Sequence, residues 1–314
     1  MLTTYVAGLE LAHPFVAGAS PHCFDPDHAR ALERHGAAAI ILPSLVTATS
    51  LAEQPPLFTR NRYLERLAVL RRTLSIPVIA SVHYHSIAQA VADIQAVADV
   101  GAQGVEVNIY RLYLDDTHSS QRQERELDDL LIAAKKSVQI PVMFKISPYF
   151  TGLSYLIARL EALGLDGLTL FNRFYHPDID LDNQQLVQRY VLSERSELPL
   201  RLYWLAVLSA QRRLPLACSG GIHELSDSLK ALMAGATMVQ ITSAALVQGP
   251  QIFEQQAEAV RDWMDAHDMR AIDELRGCMN LNRCPDPSLY TDINHIGQLY
   301  RWWQEQSQPA PARG

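Results

Sequence analysis

Ala217-Cys-Ser-Gly-Gly-Ile-His223, then a helix-length interval, then Gly235-Ala-Thr-Met-Val-Gln-Ile-Thr-Ser243: this stretch decides how the chain folds. The apolar run Leu214–Cys218 ends in Ser219-Gly220-Gly221, after which Leu225, Leu229, Leu232 and Met233 recur at i, i+4, i+7 and i+8, the spacing of one helix face. A second β-rich run, Met238–Ile241, ends in Thr242-Ser243. The order is strand, glycine turn, helix, strand, small hydroxyl turn. In a (β/α)8 barrel the loops after the last two strands commonly form a phosphate site, because backbone N–H groups converge there on an anion and glycine lets it come close. A phosphorylated cofactor is the first expectation.

Working outward, one module recurs: a helix ends, glycine follows, and a β-branched or apolar run comes next. It appears at Gly36–Leu42, Gly101–Asn108, Gly164–Asn172 and Gly235–Ile241, each glycine standing where a helix C-cap needs a left-handed residue. Between these lie Ile76–Val82, Ile140–Ile146 and Leu214–Ser219, in which Pro opens a run apolar on both faces, as buried parallel strands are. With Phe15–Ala19 as the first, the strands number eight. Ser86 caps a stretch that carries Ile87, Val91, Ile94 and Val97 on one face and stops at Gly101. Regular alternation of strand and helix gives the α/β class, and eight units with the phosphate signal on the last two predict a single (β/α)8 TIM barrel over residues 1–305. Residues 306–314, rich in Pro, Gln and Ala, read as a disordered tail. Two segments exceed ordinary connections, Tyr110–Glu124 after strand 4 and Phe174–Leu198 after strand 6, and both leave the face where such barrels keep their sites.

Composition narrows the function. With 314 residues, 48% of them hydrophobic, the chain has ample material for a core, and a net charge of −7 argues against a dedicated nucleic-acid or anionic-membrane binder. A small-molecule ligand is favoured. No basic n-region precedes an apolar segment at the N-terminus and no apolar run approaches a membrane span, so the expectation is a cytoplasmic protein without membrane or nucleic-acid partners. Cys23, Cys218, Cys278 and Cys284 are too scattered for a disulfide scaffold or a metal site and read as free thiols.

Asn108, Lys145 and Asn172 each stand at or near the C-terminal end of an otherwise apolar strand, so their polar heads would enter the mouth of the barrel. Lys145, inside Val142-Met-Phe-Lys-Ile146, needs an anionic or polar partner, either a bound ligand or a neighbouring carboxylate such as Glu106. His83 and His85 follow the third strand and would reach the mouth as pocket lining, one of them able to donate a proton; a metal there lacks a third ligand, and none is expected.

The whole pattern resembles the dihydroorotate dehydrogenase family of FMN-dependent barrels, and most its dihydroorotate dehydrogenase-like branch. The resemblance rests on Leu9-Glu-Leu-Ala-His-Pro-Phe15 before Ala19-Ser20, Glu106-Val-Asn108, Lys145, Phe171-Asn172, Ser219-Gly-Gly-Ile222 and Gln240-Ile-Thr-Ser243, in that order. It implies FMN as cofactor, a hydride exchange with a small, anionic substrate, and a place in pyrimidine biosynthesis. Ala19 and Ser20 would approach the flavin ring; Asn108 and Asn172 would hydrogen-bond ring and substrate; Lys145 would face the ring edge where charge collects on reduction. Gly220, Gly221, Thr242 and Ser243 would hold the phosphate.

Departures from the family are as informative. The family's base, a Cys or Ser three positions after the fourth-strand Asn, is here Arg111, which cannot act as a base near neutral pH. The family's second-strand Lys is replaced by Ser44, and Thr47–Pro56 shows nothing of its Asn-rich substrate loop. Dihydroorotate itself is therefore a doubtful substrate, with Ser119, Ser120, His118 and His176 as candidate substitutes for the base. Two other readings stay open: a flavin-free lyase or aldolase forming a Schiff base on a sugar phosphate through Lys145, and a non-catalytic flavin-binding member of a redox complex. A homodimer or a redox partner protein would fit Tyr300, Trp302 and Trp303 as a contact surface.

Overall fold

The computed structural model describes residues 1–47, 59–114, 116–291 and 295–307. In chain order its strands are β1 (Thr4–Val6), β2 (Leu9–Leu11), β3 (Phe15–Ala17), β4 (Ile40–Leu45), β5 (Val78–His83), β6 (Gly104–Asn108), β7 (Val142–Ile146), β8 (Gly167–Leu170), β9 (Asp178–Asp180), β10 (Gln185–Val187), β11 (Leu216–Ser219) and β12 (Met238–Ile241). Eight of these close a parallel barrel in the order β3-β4-β5-β6-β7-β8-β11-β12, with β12 paired back onto β3. These are the eight strands expected from the sequence, and helices fill the intervals between them.

Parallel strands buried on both faces need two apolar layers, and the chain supplies them. One layer lies between barrel and helices, where Leu42, Val105, Phe144 and Leu168 meet Leu67, Ile94, Leu131 and Ile157. The other fills the barrel interior with Val16, Ile41, Ile79, Met143, Ala217 and Met238. The β1–β2 hairpin packs Val6 and Leu11 onto that interior layer and so plugs the end opposite the mouth. Its strands are three residues each, too short for a period-2 pattern to announce.

The expected punctuation is present. Gly36, Gly101, Gly164 and Gly235 all adopt positive φ. At Gly235 the requirement is strict, since φ is +118° and a Cβ would lie 2.1 Å from the Ser209 hydroxyl oxygen. Ser86 Oγ accepts the Gln89 N–H at the start of helix Ile87–Asp99. That helix buries Ile94 and Val97 as read, but its inner face also carries Asp93, fully buried and bonded to Thr47 Oγ1 (2.6 Å) and Arg60 Nε (3.0 Å).

The two long connections take different forms. The first ends at Ser119, whose Oγ caps helix Ser120–Ser137 by accepting the Arg122 N–H, so Ser120–Glu124 is helix and not connection. The second folds into the β9–β10 ribbon, turned by Asp180 accepting the N–H groups of Asp182 and Asn183. Near the C-terminus, helix His295–Ser307 leaves Tyr300, Trp302 and Trp303 exposed. The expected tail at 306–314 lies outside the described residues from 308 onward, as does Thr47–Pro56 from 48 onward.

Candidate functional site

The C-terminal ends of β6, β7, β8, β11 and β12 surround one cavity of about 220 Å³. Asn108, Lys145, Asn172, Ser219, Gly220, Gln240, Thr242 and Ser243 line it, with Ala19 from the end of β3. It adjoins a cleft of about 500 Å³ that shares Phe171, Asn172, Arg173 and Arg201, and the two together fall within the usual size of a cofactor pocket.

At the floor, charge is balanced through a relay. Lys145 Nζ donates to Ser219 Oγ (2.9 Å) and Gln240 Oε1 (3.1 Å). The Gln240 amide nitrogen donates to Glu106 Oε2 (2.6 Å), which also accepts from Thr169 Oγ1 (2.7 Å). An ammonium has only donors and a carboxylate only acceptors, so a single amide can connect both without a mismatch. Glu106 is thus the countercharge of Lys145, without touching it. Burial lowers the Lys145 pKa, Glu106 partly offsets this, and Arg201 adds to it. Glu106, Thr169 and Gln240 are almost wholly buried, which only full satisfaction of their polar atoms tolerates.

Around the rim, Asn172 Nδ2 donates to the carbonyls of Ile109 and Lys145, which fixes the side chain. Asn108 Nδ2 donates to Ser44 Oγ, itself bonded to Ser81 Oγ. A register shift between Ile41 and Ser44, where Pro43 cannot donate to the ladder, sets Ser44 opposite Ser81. Asn108 Oδ1 is buried in the site and has no partner among the described residues.

Beside this floor is a glycine cradle. Gly220 and Gly221 have φ of +92° and +80°, and a Cβ on Gly221 would lie 2.8 Å from the Leu198 backbone nitrogen. Behind Gly220 stands Arg201, almost completely buried, donating to the carbonyls of Ser219 and Glu197. Ser193 reaches in from the long connection: its Oγ accepts the Gly221 N–H and bonds Ser243 Oγ, while its carbonyl accepts from His223 Nε2 (2.7 Å).

Aromatic side chains form the roof. Tyr110 stacks on Phe174 and Tyr175 on Tyr190, and the Tyr110 hydroxyl accepts the Tyr175 N–H. Arg173 lies over the Tyr175 ring, pairs with Glu197 and donates to the Val191 carbonyl, so one guanidinium ties the roof to the cradle. Burial and the neighbouring Tyr190 raise the Tyr175 pKa, which keeps its phenol protonated.

Of the residues expected at the site, Ala19, Asn108, Lys145, Asn172, Gly220, Thr242 and Ser243 line one cavity, and Gly221 adjoins it through Ser193. Ser20 does not line it; its hydroxyl donates to Cys23 Sγ. The candidate bases fare differently. Ser119 is committed as a helix cap, Ser120 is the first residue of that helix, and neither they nor His118 and His176 line the cavity. Arg111 turns away to the His85 carbonyl and the Tyr113 ring, lining a separate hollow of about 160 Å³. His83 and His85 do not line the mouth either, and among the described residues no third ligand joins them. Sequence reading named Tyr175 only as part of the long connection after the sixth strand, and it missed Arg173, Tyr190, Ser193 and Arg201. That connection was the only signal for Arg173, Tyr190 and Ser193, whereas Arg201 lies on the helix that follows it.

The residues present fit a flavin mononucleotide. An orphaned acceptor at Asn108 suits the N–H of a ring edge, Lys145 suits a carbonyl edge, and the glycine turn backed by a buried guanidinium suits a terminal phosphate.

A family model described as dihydroorotate dehydrogenase matches residues 51–264. The chain is 23% identical over 305 residues to the dihydroorotate dehydrogenase B (NAD(+)) catalytic subunit of Methanothermobacter thermautotrophicus, covering 88% of this chain and 98% of that protein. The protein of the same description from Geobacter sp. strain M21 is 22% identical over 309 residues, with 89% and 98% covered, and that of Pelobacter propionicus 26% over 153 residues, with 48% and 50% covered.

Proposed function

Because this chain belongs to the dihydroorotate dehydrogenase family, whose members are FMN-dependent oxidoreductases on a TIM barrel, we propose that its mouth cavity holds FMN beside a small anionic substrate bound under the aromatic roof. The observation that carries this reading is the convergence of Lys145, the unpartnered Asn108 acceptor and the Arg201-backed glycine turn on one cavity. With the family established, the flavin-free lyase reading falls away.

When bound, FMN supplies the redox chemistry, exchanging hydride with a CH–CH bond of the substrate. The protein's own residues do the rest. Gly220, Gly221, Thr242 and Ser243 would hold the phosphate, with Arg201 as the fixed positive charge behind it. Lys145 would hold a positive charge at the ring edge, kept in place by Ser219 and Gln240 and balanced by Glu106. Asn108 and Asn172 orient, and Arg173 is the guanidinium nearest the roof able to attract an anionic substrate group. The Tyr175 phenol stays protonated and can donate a hydrogen bond to a substrate, but it is no base.

Among the described residues this inventory lacks the proton acceptor that dihydroorotate oxidation demands, because Arg111 occupies that position and faces elsewhere. Dihydroorotate is accordingly a weak substrate, and a different small anion is the preferred one. Loss of a general base costs about 10²–10⁴-fold. Anaerobic mixing of the FMN-loaded protein with dihydroorotate should bleach the flavin slowly or not at all; bleaching at about 10 per second, an ordinary enzymatic rate, would overturn the substrate assignment. The relatives' description as a catalytic subunit supports a separate electron-transfer partner. Among the described residues no helix is long and apolar enough to cross a membrane.

A further inference from the structure

We propose a second anion site, on the opposite end of the barrel from the cofactor mouth, that takes a small non-aromatic phosphate compound. A cavity of about 300 Å³ opens there between the starts of β11 and β12 and the segment that follows helix Ile272–Leu275. Leu214 and Thr237, just ahead of the two strands, fix its location at the N-terminal face.

Four arginines line it: Arg212, Arg213, Arg276 and Arg283. In a chain of net charge −7 this is a local concentration of the opposite sign. Only two carboxylates are paired with these side chains among the described residues. Asp273 pairs with Arg276 at 2.8 Å, while Glu161 stands 3.8 Å from Arg212 and spends its other oxygen on the N–H groups of Arg213 and Leu214. Four guanidinium charges against two carboxylates leave a positive excess facing the cavity.

The hydrogen bonding is incomplete in the same place. Arg212 Nε and Arg276 Nε are both buried and both without a partner among the described residues, although each belongs to a residue lining the cavity. A buried guanidinium N–H left unpaired is costly, and burial lowers the Arg276 pKa as well. An anion in the cavity would supply countercharge to the excess, and acceptors to the two orphaned donors once their guanidinium groups turn toward it. Arginine forks match the oxygens of a phosphate group in geometry as well as charge.

The lining also selects among anions. Leu214 is its one large apolar side chain, and no aromatic ring faces it. There is no stacking surface for a nucleobase, so the ligand class is inorganic phosphate or a small phosphate monoester and not a nucleotide. Gly235 and Gly277 at the wall carry no side chain to fill the space.

The test uses FMN-loaded protein, so that the phosphate cradle at the mouth is already filled and the outcome does not depend on the reading of that site. Inorganic phosphate, pyrophosphate and glycerol phosphate are titrated calorimetrically at constant ionic strength made up with chloride. Saturable binding of at least one is expected, weakened about tenfold or more in Arg212→Gln and in the double variant Arg213→Gln/Arg283→Gln, two exposed positions of which Arg283 also donates to the Arg276 carbonyl. Preference between inorganic phosphate and the monoester identifies the source. Arg212→Lys, which keeps charge but loses the fork, should recover part of the affinity and guards against a variant that merely unfolds. No saturable binding, equal binding in the wild type and both glutamine variants, or a response matched by chloride alone would overturn the site. So would a nucleic acid that binds this face while phosphate does not.

Discussion

Replacing Lys145 with methionine removes the one cation in the floor relay while keeping most of its volume. Gln240 Oε1 then loses a 3.1 Å donor, and Glu106, about 1% exposed, loses the charge that balances it. An orphaned buried acceptor costs about 1–3 kcal/mol, and breaking a buried ion pair from one side costs about 3–5 kcal/mol. The two overlap, so Lys145→Met should destabilise by about 3–5 kcal/mol in urea titrations of the FMN-free protein at neutral pH. Glu106→Gln should also destabilise, since it strands the ammonium and sets an amide against the Gln240 amide. Combined, the two changes remove both charges, and their sum should exceed the double variant's loss by about 1–3 kcal/mol. Burial holds the Lys145 pKa below its ordinary 10.5, so between that lowered value and 10.5 the unfolded chain binds a proton the folded chain does not. Stability rises with pH across that window, and the wild type should gain on Lys145→Met there. Strict additivity within about 0.5 kcal/mol, or a difference flat up to pH 10.5, would refute the relay as the balancing device.

Gly221→Ala places a Cβ 2.8 Å from the Leu198 backbone nitrogen at a φ of +80°, a conformation costing a non-glycine residue about 1–2 kcal/mol before the clash. Flavin content should collapse while far-UV dichroism persists; a fully yellow variant would move the phosphate elsewhere. Burial pushes the Cys23 thiol up to about 11 and the Cys218 thiol up to about 12, so neither should react with a disulfide reagent at pH 8 until urea is added. Rapid native labelling of Cys218 would mean that the β11 turn opens far more readily than its packing implies.

The barrel was legible because its signals repeat. Four left-handed glycines, three Pro-led apolar runs and a capped amphipathic helix point to one architecture, and each was met at its own residues. Strand ends were legible for the same reason: once Asn108, Lys145 and Asn172 are known to end strands, the barrel brings them together. What stayed hidden depends on tertiary packing. Arg201 lies on a helix whose periodicity gives no hint that this guanidinium reaches the Ser219 carbonyl, and Glu106 balances Lys145 through an intermediary 134 residues away. The roof rests on three-residue strands and an Asp180 turn, below the length at which periodicity carries information. Ser119 shows the opposite error, a hydroxyl in a polar segment suspected of chemistry that in fact begins a helix. Ser20, expected by resemblance beside Ala19, turns its hydroxyl to Cys23 Sγ while Ala19 lines the cavity.

The account stands on one ligand in one place. Protein purified with its chromophore, or reconstituted and freed of excess, should be denatured and the released compound identified by mass and quantified against the chain. One FMN per chain is predicted, since the proposed site for a terminal phosphate is the cradle at Gly220 and Gly221 and the sequence carries no G-x-G-x-x-G fingerprint for an adenine dinucleotide. Recovery of FAD, or of no flavin after reconstitution, would contradict it.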